Sequence, residues 1–235
     1  MRIPRGAASI PPYVRFVSEL RNPNFPARLL EADAVSEDRR NVIDAYAYWA
    51  TEAIAADLDE RRHDFAVVLE NFAHDFNIGT AVRNCNAFLG AEVFILGRRR
   101  WDRRGAVGTH HYEHVSHVAD WETMAERLSA DCYTPVVFDN VDGAASVFEF
   151  DWPRRPAMIF GQEQIGVSPA ALELAEHVVF IPQFGSTRSI NAGVASGIAM
   201  YDYVRKLHAG ENEGHVRCDG QGSGSGQPER AHAGA

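Results

Sequence analysis

The rhythm of apolar and polar positions changes three times along the chain. Up to residue 26 no period holds, because Pro4, Pro11, Pro12, Pro23 and Pro26 interrupt it. Further on, Val42, Ile43, Tyr46, Trp49, Ala50, Ala53, Ile54 and Leu58 recur at helical spacing. This predicts a helix with Ser36 as N-cap and with Glu37 and Asp38 at the positive end of its dipole. Its apolar stripe is wide and aromatic, so it must pack on the main domain or on a second subunit. Residues 1–62 are therefore expected to form an N-terminal helical extension.

From 63 to 208 short β-rich runs alternate with helical ones. Strands are predicted at 65–70, 92–96, 115–118, 135–139, 157–160 and 178–181, and helices near 79–89, 121–129, 169–175 and 190–207. Runs such as Val136-Val137-Phe138 and Met158-Ile159-Phe160 are apolar throughout, as a sheet buried on both faces requires. The expectation is an α/β domain with a mostly parallel sheet and helices on both faces. Ligands of such sheets bind at the loops leaving the carboxyl ends of strands. Beyond Ala209 apolar content collapses into Gly/Ser-rich sequence, so 209–235 is expected to be a disordered tail. Its Gly-Ser-Gly-Ser-Gly run has no strand before it and no helix after it, and is not read as a phosphate loop.

Composition narrows the classes. With 46% hydrophobic and 23% charged residues the chain is ordinary globular protein. It contains no run approaching the roughly 18 apolar residues of a membrane span. Residues 1–6 lack the apolar core of a secretory signal. Cys85, Cys132 and Cys218 are odd in number and form no CxxC pair, which excludes a disulfide framework and a cysteine zinc site. A reducing, cytoplasmic location is expected. The net charge of −9 argues against indiscriminate nucleic-acid binding. Yet Arg98, Arg99, Arg100, Arg103 and Arg104 crowd one short stretch against a single Asp102. That patch reads either as a docking site for a selected anionic partner or as a solvated loop.

Three segments combine turn chemistry with polar groups. Residues 71–84 follow a predicted strand and open a helix. Asn77 and Gly79 can shape a tight turn there, N–H groups at the helix start can receive an anion, and Arg83 lies a turn further on. The plainer alternative is a capped helix with a surface arginine. In Gly161-Gln162-Glu163-Gln164-Ile165-Gly166-Val167-Ser168, Gly161 allows close backbone approach and Glu163 offers a carboxylate. That loop also reads as a simple turn with Ser168 as N-cap and Pro169 at the first helical position. The third segment, 181–201, opens a helix containing Ala192, Gly193, Ala195, Ser196, Gly197 and Ala199, with Ser189 and Asn191 at its polar mouth. Each interior glycine costs about 1 kcal/mol of helix propensity, so close approach by another backbone or a ligand is implied.

Together the segments resemble the SpoU/TrmH branch of the SPOUT superfamily of RNA ribose 2′-O-methyltransferases. The likeness rests on Asn-Ile-Gly-x-x-x-Arg at 77–83, Gly-x-Glu-x-x-Gly-Val-Ser at 161–168 and Ile-Pro…Ser-Ile-Asn…Gly-Ile-Ala-Met-Tyr at 181–201, and it covers about 65–207. It implies a methyltransferase domain over 63–208 with a C-terminal deep trefoil knot, a rare exception to unknotted topology. It also implies S-adenosylmethionine as cofactor, with contacts at Gly161, Glu163, Ile181, Ser189, Ile190 and Asn191, and a homodimer with the active site near the interface. By the same resemblance Arg83 is catalytic. Because a guanidinium is a poor proton acceptor, Arg83 is read as a phosphate clamp and an aid to the emerging alkoxide. Asn77 would orient Arg83 or the substrate, while Ser189 and Asn191 line the junction of cofactor and substrate. Gln164 stands where many relatives carry glycine. Arg98, Arg99, Arg100, Trp101, Arg103 and Arg104 are candidate RNA contacts, Trp101 by stacking on a base. Transfer RNA is favoured over ribosomal RNA as substrate. His110, His111, His114 and His117 do not read as a metal site. The alternatives are a non-catalytic RNA-binding protein of this fold and a nucleotide-binding α/β enzyme, although no GxxxxGK[ST] motif is present.

Overall fold

Both faces of the first strand are apolar, and this sets the layers. In β1 (His63–Glu70), Phe65, Val67 and Leu69 point to one face while Ala66 and Val68 point to the other, and all five are fully buried. The computed structural model describes residues 40–47, 49–70, 75–97, 100–162 and 166–210. The Pro-rich opening, the Ser36 cap and the Gly/Ser-rich tail past 210 lie outside the described residues. Within them β1 is joined by β2 (Gly90–Leu96), β3 (Val115–Val118), β4 (Thr134–Phe138), β5 (Ala145–Ser146), β6 (Pro156–Phe160) and β7 (His177–Phe180). The sheet order is β3-β2-β1-β6-β4-β7-β5, and every neighbouring pair is parallel.

The helices are α1 (Thr51–Asp59), α2 (Asp75–Ala87), α3 (Trp121–Ala130), α4 (Pro169–Leu174) and α5 (Ala192–His208). On one face Ile78, Ala81 and Val82 of α2 join Ala199, Met200 and Tyr203 of α5 over Phe65, Val67 and Leu69. On the other, Met124 and Leu128 of α3 and Ala171 of α4 cover Ala66 and Val68. The predicted α/β architecture, with a parallel sheet and helices on both faces, is the observed one. The two-residue β5 and the 3-10 turns at Arg103–Ala106 and Thr109–His111 have no counterpart in the sequence reading.

The predicted helix ending at Leu58 requires correction. Its described part is a 3-10 turn at Asp44–Tyr46, an extended link, and then α1, entered from Ala50 at ψ 146°. The Tyr46 hydroxyl donates to Asp57 at 2.5 Å and accepts from Arg61 at 2.6 Å. In one continuous helix Tyr46 and Asp57 would stand about 16 Å apart, so this buried polar contact folds the segment back on itself. Its apolar stripe packs within the chain: Tyr46, Ile54 and Leu58 cluster with Tyr112, flanked by Trp49 and Leu89. The Arg62 guanidinium locks the joint, meeting Asp59 at 2.6 Å, the buried Glu113 at 3.0 Å and the carbonyls of Gly90 and Tyr112.

Candidate active site

Strands β4, β6 and β7 end close together, and the loops leaving their carboxyl ends enclose a cavity of about 530 Å³. That is within the size range of small-molecule sites. Phe138, Phe160, Val179 and Ile181 give it apolar walls, with Ala192 and Ala195 of α5 beside them. Asp139, Gln162, Gln183, Arg188 and Ser189 bring polar groups to it.

The described ends of the loop after β6 are held by several contacts. Gln162 and Gly166 exchange backbone hydrogen bonds of 3.0 and 2.8 Å; residues 163–165, including Glu163 and Gln164, lie outside the described ones. Gly166 sits at φ +77°, and a Cβ there would meet the Asp139 carboxylate at 2.7 Å. A Cβ on Gly161 would run into the backbone of Gly166 and Val167. Asp139 Oδ2 accepts from the Val167 N–H at 3.1 Å, so the end of β4 holds the return of the β6 loop. Ser168 does cap α4, accepting from the Ala171 N–H at 3.2 Å. Its own N–H donates to the buried Glu70 at the end of β1, which also accepts from the Trp121 indole. The cap expected at Ser168 is thus the observed one.

The loop after β7 is fixed by Thr187, whose hydroxyl donates to the Ser189 carbonyl at 2.8 Å and accepts from the Ser189 N–H at 3.4 Å. Asn191 then caps α5, accepting from the Val194 N–H at 3.2 Å. Its amide donates to Asn77 Oδ1 at 3.1 Å, tying the N-terminal turns of α5 and α2 together. Below that link the helices run side by side. A Cβ on Gly193 would be 2.9 Å from the Thr80 methyl, and one on Gly197 would be 3.0 Å from Asn84. Asn84 donates to the Gly193 carbonyl at 2.8 Å. Close approach by a neighbouring helix is therefore what the small residues of α5 serve.

Of the residues expected at the cofactor, Gly161, Ile181, Ser189 and Ile190 line the cavity, and Asn191 flanks it through its bond to Asn77. Arg83 is exposed and is not among the lining residues. It lies seven residues from Phe76, hence on the same solvent face of α2. The basic patch leaves β2, three places from β4 in the sheet, and its described residues, 100–104, do not line the cavity either. It docks on α2, where a Cβ on Gly79 would be 2.8 Å from Gly105 Cα. Arg98 and Arg99 lie outside the described residues. Arg100 and Arg103 are exposed, while Arg104 meets Asp102 at 2.6 Å, a contact that holds the Asp102 carboxyl below its usual value. Trp101 is half-buried against the core and edge-on to His110. His114 pairs with Asp59 at 2.8 Å. Among the described residues no group of three His, Cys, Asp or Glu side chains is arranged to hold a metal.

Sequence reasoning missed Asp139, Gln183 and Arg188. Asp139 could have been found, because it ends a predicted strand at the end where ligands bind. Gln183 Oε1 is buried at the cavity and has no hydrogen-bond partner among the described residues.

A parallel α/β sheet whose ligand cavity is built by loops from three strand ends defines the general class. The profile of the SpoU rRNA methylase family matches residues 64–201, and the chain belongs to that family. It is 28% identical over 162 residues to the tRNA (guanosine(18)-2′-O)-methyltransferase of Thermus thermophilus, covering 65% of this chain and 81% of that one. It is 31% identical over 176 residues to the 23S rRNA (uridine(2479)-2′-O)-methyltransferase of Streptomyces viridochromogenes, covering 68% of this chain and 60% of that one. The crystal structure of the SpoU methyltransferase AviRb from Streptomyces viridochromogenes in complex with the cofactor AdoMet superposes with a TM-score of 0.59 at 25% identity, covering 65% and 62% of the two chains.

Proposed function

We propose that the chain is an S-adenosylmethionine-dependent RNA methyltransferase acting on a ribose 2′-hydroxyl, on transfer RNA in preference to ribosomal RNA. The observation that carries this reading is the cavity at the ends of β4, β6 and β7, which gathers Gly161, Ile181, Ser189 and Ile190. Its lining fits the cofactor: apolar walls for a flat base, the polar Asp139 and Ser189, and Gln183 Oε1, which has no partner among the described residues, as an acceptor. The transfer-RNA-modifying relative is matched over 81% of its own length and the ribosomal-RNA-modifying one over 60%, which supports the substrate preference.

The trefoil knot belongs to the same reading. It is supported by the path of the chain, which runs from β6 past β4 to β7 and returns to pack α5 against α2. The match over 64–201 supports a catalytic domain at 63–208, with 1–62 as extension and 209–235 as tail. A homodimer in the cytoplasm completes the proposal. Phe76 on α2 and Val194 and Tyr201 on α5 are all more than half exposed on adjoining helices, an apolar surface suited to a second copy.

When bound, the cofactor supplies an activated methyl group. A ribose hydroxyl is barely acidic at neutral pH, so the protein must orient it and stabilise growing negative charge. Ser189 and Asn191 present polar groups at the cavity mouth, and Asn77 holds Asn191 in place. The Arg83 guanidinium clamps the phosphate beside the reacting ribose. Its place beside Phe76 puts it in the proposed dimer interface, from which it can serve the cavity of the other copy.

Incubation with radiolabelled S-adenosylmethionine and unmodified transfer or ribosomal RNA, followed by nuclease digestion, tests the activity. Label is expected in a 2′-O-methylated nucleoside; label in a base, or none, would overturn the reading. Arg83→Ala should leave cofactor affinity within a few-fold while turnover falls by orders of magnitude.

A further inference from the structure

We propose that Phe184 is a stacking platform for an unpaired base of the substrate RNA, at the edge of the cofactor cavity. This rests on the RNA-methyltransferase reading and adds to it a base-recognition site. Phe184 is 90% exposed, the most exposed large apolar side chain among the described residues. A single exposed apolar residue is unremarkable in itself; the position of this one is what matters. Gln183 on one side and Arg188 and Ser189 on the other line the cavity, so Phe184 sits on the rim where the ribose must enter.

The loop is held rather than loose. β7 anchors one end, and Asn191, which caps α5 and bonds Asn77, anchors the other. A Cβ on Gly185 would meet nothing within 4 Å, so the loop projects into open space beside the ring.

The chemistry of the surroundings selects the occupant. Along the loop the ring is followed by Gly185, Ser186, Thr187 and Arg188, of which all are exposed, and Gln183 precedes it. An apolar protein partner needs a contiguous apolar patch. A nucleobase needs only one free aromatic face, with donors nearby for the adjoining sugar and phosphate. Arg188 and the Ser186 hydroxyl supply those donors. The stacked base belongs to the nucleotide being methylated or to its neighbour, since the ring adjoins the cavity.

The test compares Phe184→Ala, Phe184→Leu and Phe184→Tyr with the parent protein. The readouts are KM and kcat on unmodified bulk transfer RNA, binding of a mixed-sequence single-stranded hexanucleotide, cofactor affinity by calorimetry, and sedimentation. Phe184→Ala and Phe184→Leu should raise KM and weaken hexanucleotide binding about 5- to 100-fold. Phe184→Tyr should behave like the parent, and cofactor affinity should stay within two-fold in all three. Leucine matching phenylalanine would overturn stacking, because only apolar contact would then matter. A changed oligomeric state in Phe184→Ala would also overturn it, by assigning the ring to a second copy. Should the parent methylate no RNA, the activity reading fails by itself. Hexanucleotide binding then still decides for the platform if Phe184→Ala loses it, and against the platform if it does not.

Discussion

Cys132 lies just past the end of α3 at φ 56°, a left-handed conformation that L side chains adopt at a cost. Its N–H bonds to the Ser129 carbonyl at 3.1 Å, and the Tyr133 N–H reaches back to Leu128 at 2.9 Å. These are the two hydrogen bonds of a Schellman ending, whose left-handed position favours glycine. Cys132→Gly should therefore stabilise the protein by about 1 kcal/mol and raise Tm by about 2–4 °C. Urea unfolding checks it; a lower midpoint would mean that the exposed thiol contributes more than the backbone conformation costs. Single residues differ in how far sequence reveals them. Gly161 and Ser168 are legible because a local rule, close approach or capping, fixes each, whereas Asn191, read as a polar group at the helix mouth, is also the cap of α5. Asp139 acts on Val167, 28 positions away, and no local rule reports a bond of that span.

Packing between elements makes stricter demands than propensity. Alanine in place of Gly193 would gain about 1 kcal/mol of helix propensity. Yet its Cβ would sit 2.9 Å from the Thr80 methyl and 3.0 Å from the Thr80 Cβ. Thr80 cannot swing away cheaply, since it is β-branched and its hydroxyl bonds the Phe76 carbonyl at 3.2 Å. Gly193→Ala should thus destabilise by about 1–3 kcal/mol despite propensity. Thr80→Ser removes the obstructing methyl and should recover much of that loss in the double variant. A double-mutant cycle in denaturant measures the coupling, and additive effects would refute the contact. The elements of the sheet were legible because buried parallel strands and amphipathic helices write their periods into sequence. The helix ending at Leu58 misled for a physical reason: Tyr46, in phase with the stripe, instead turns back to bond Asp57. A two-residue strand such as β5 carries no period at all.

At the scale of the molecule, the strand order is where residue patterns run out, because periodicity fixes each strand but not its neighbours. The closure of the described fold is visible where α5 meets β1. His63 opens β1 and stands edge-on to His208 at the end of α5, ring centroids 5.6 Å apart. Burial, reinforced by the nearby His208, lowers the His63 pKa below 6.5, while Asp64 pulls weakly the other way. The unfolded chain therefore takes up this proton at higher pH than the folded one does. The contribution of neutral His63 to stability is full above about pH 6.5 and is lost as pH falls through its lowered folded value. The buried Glu113, whose carboxyl burial pushes up, has the opposite sign: its contribution is lost as pH rises through its raised value. Comparing variants separates the two, since Glu113 is common to all of them. Unfolding free energy measured between about pH 8 and 5 should fall more steeply for the parent than for His63→Gln. His208→Gln should remove only part of the excess slope, because burial is the larger cause. Parallel curves for parent and His63→Gln would show that this histidine does not couple protonation to the closure of the fold.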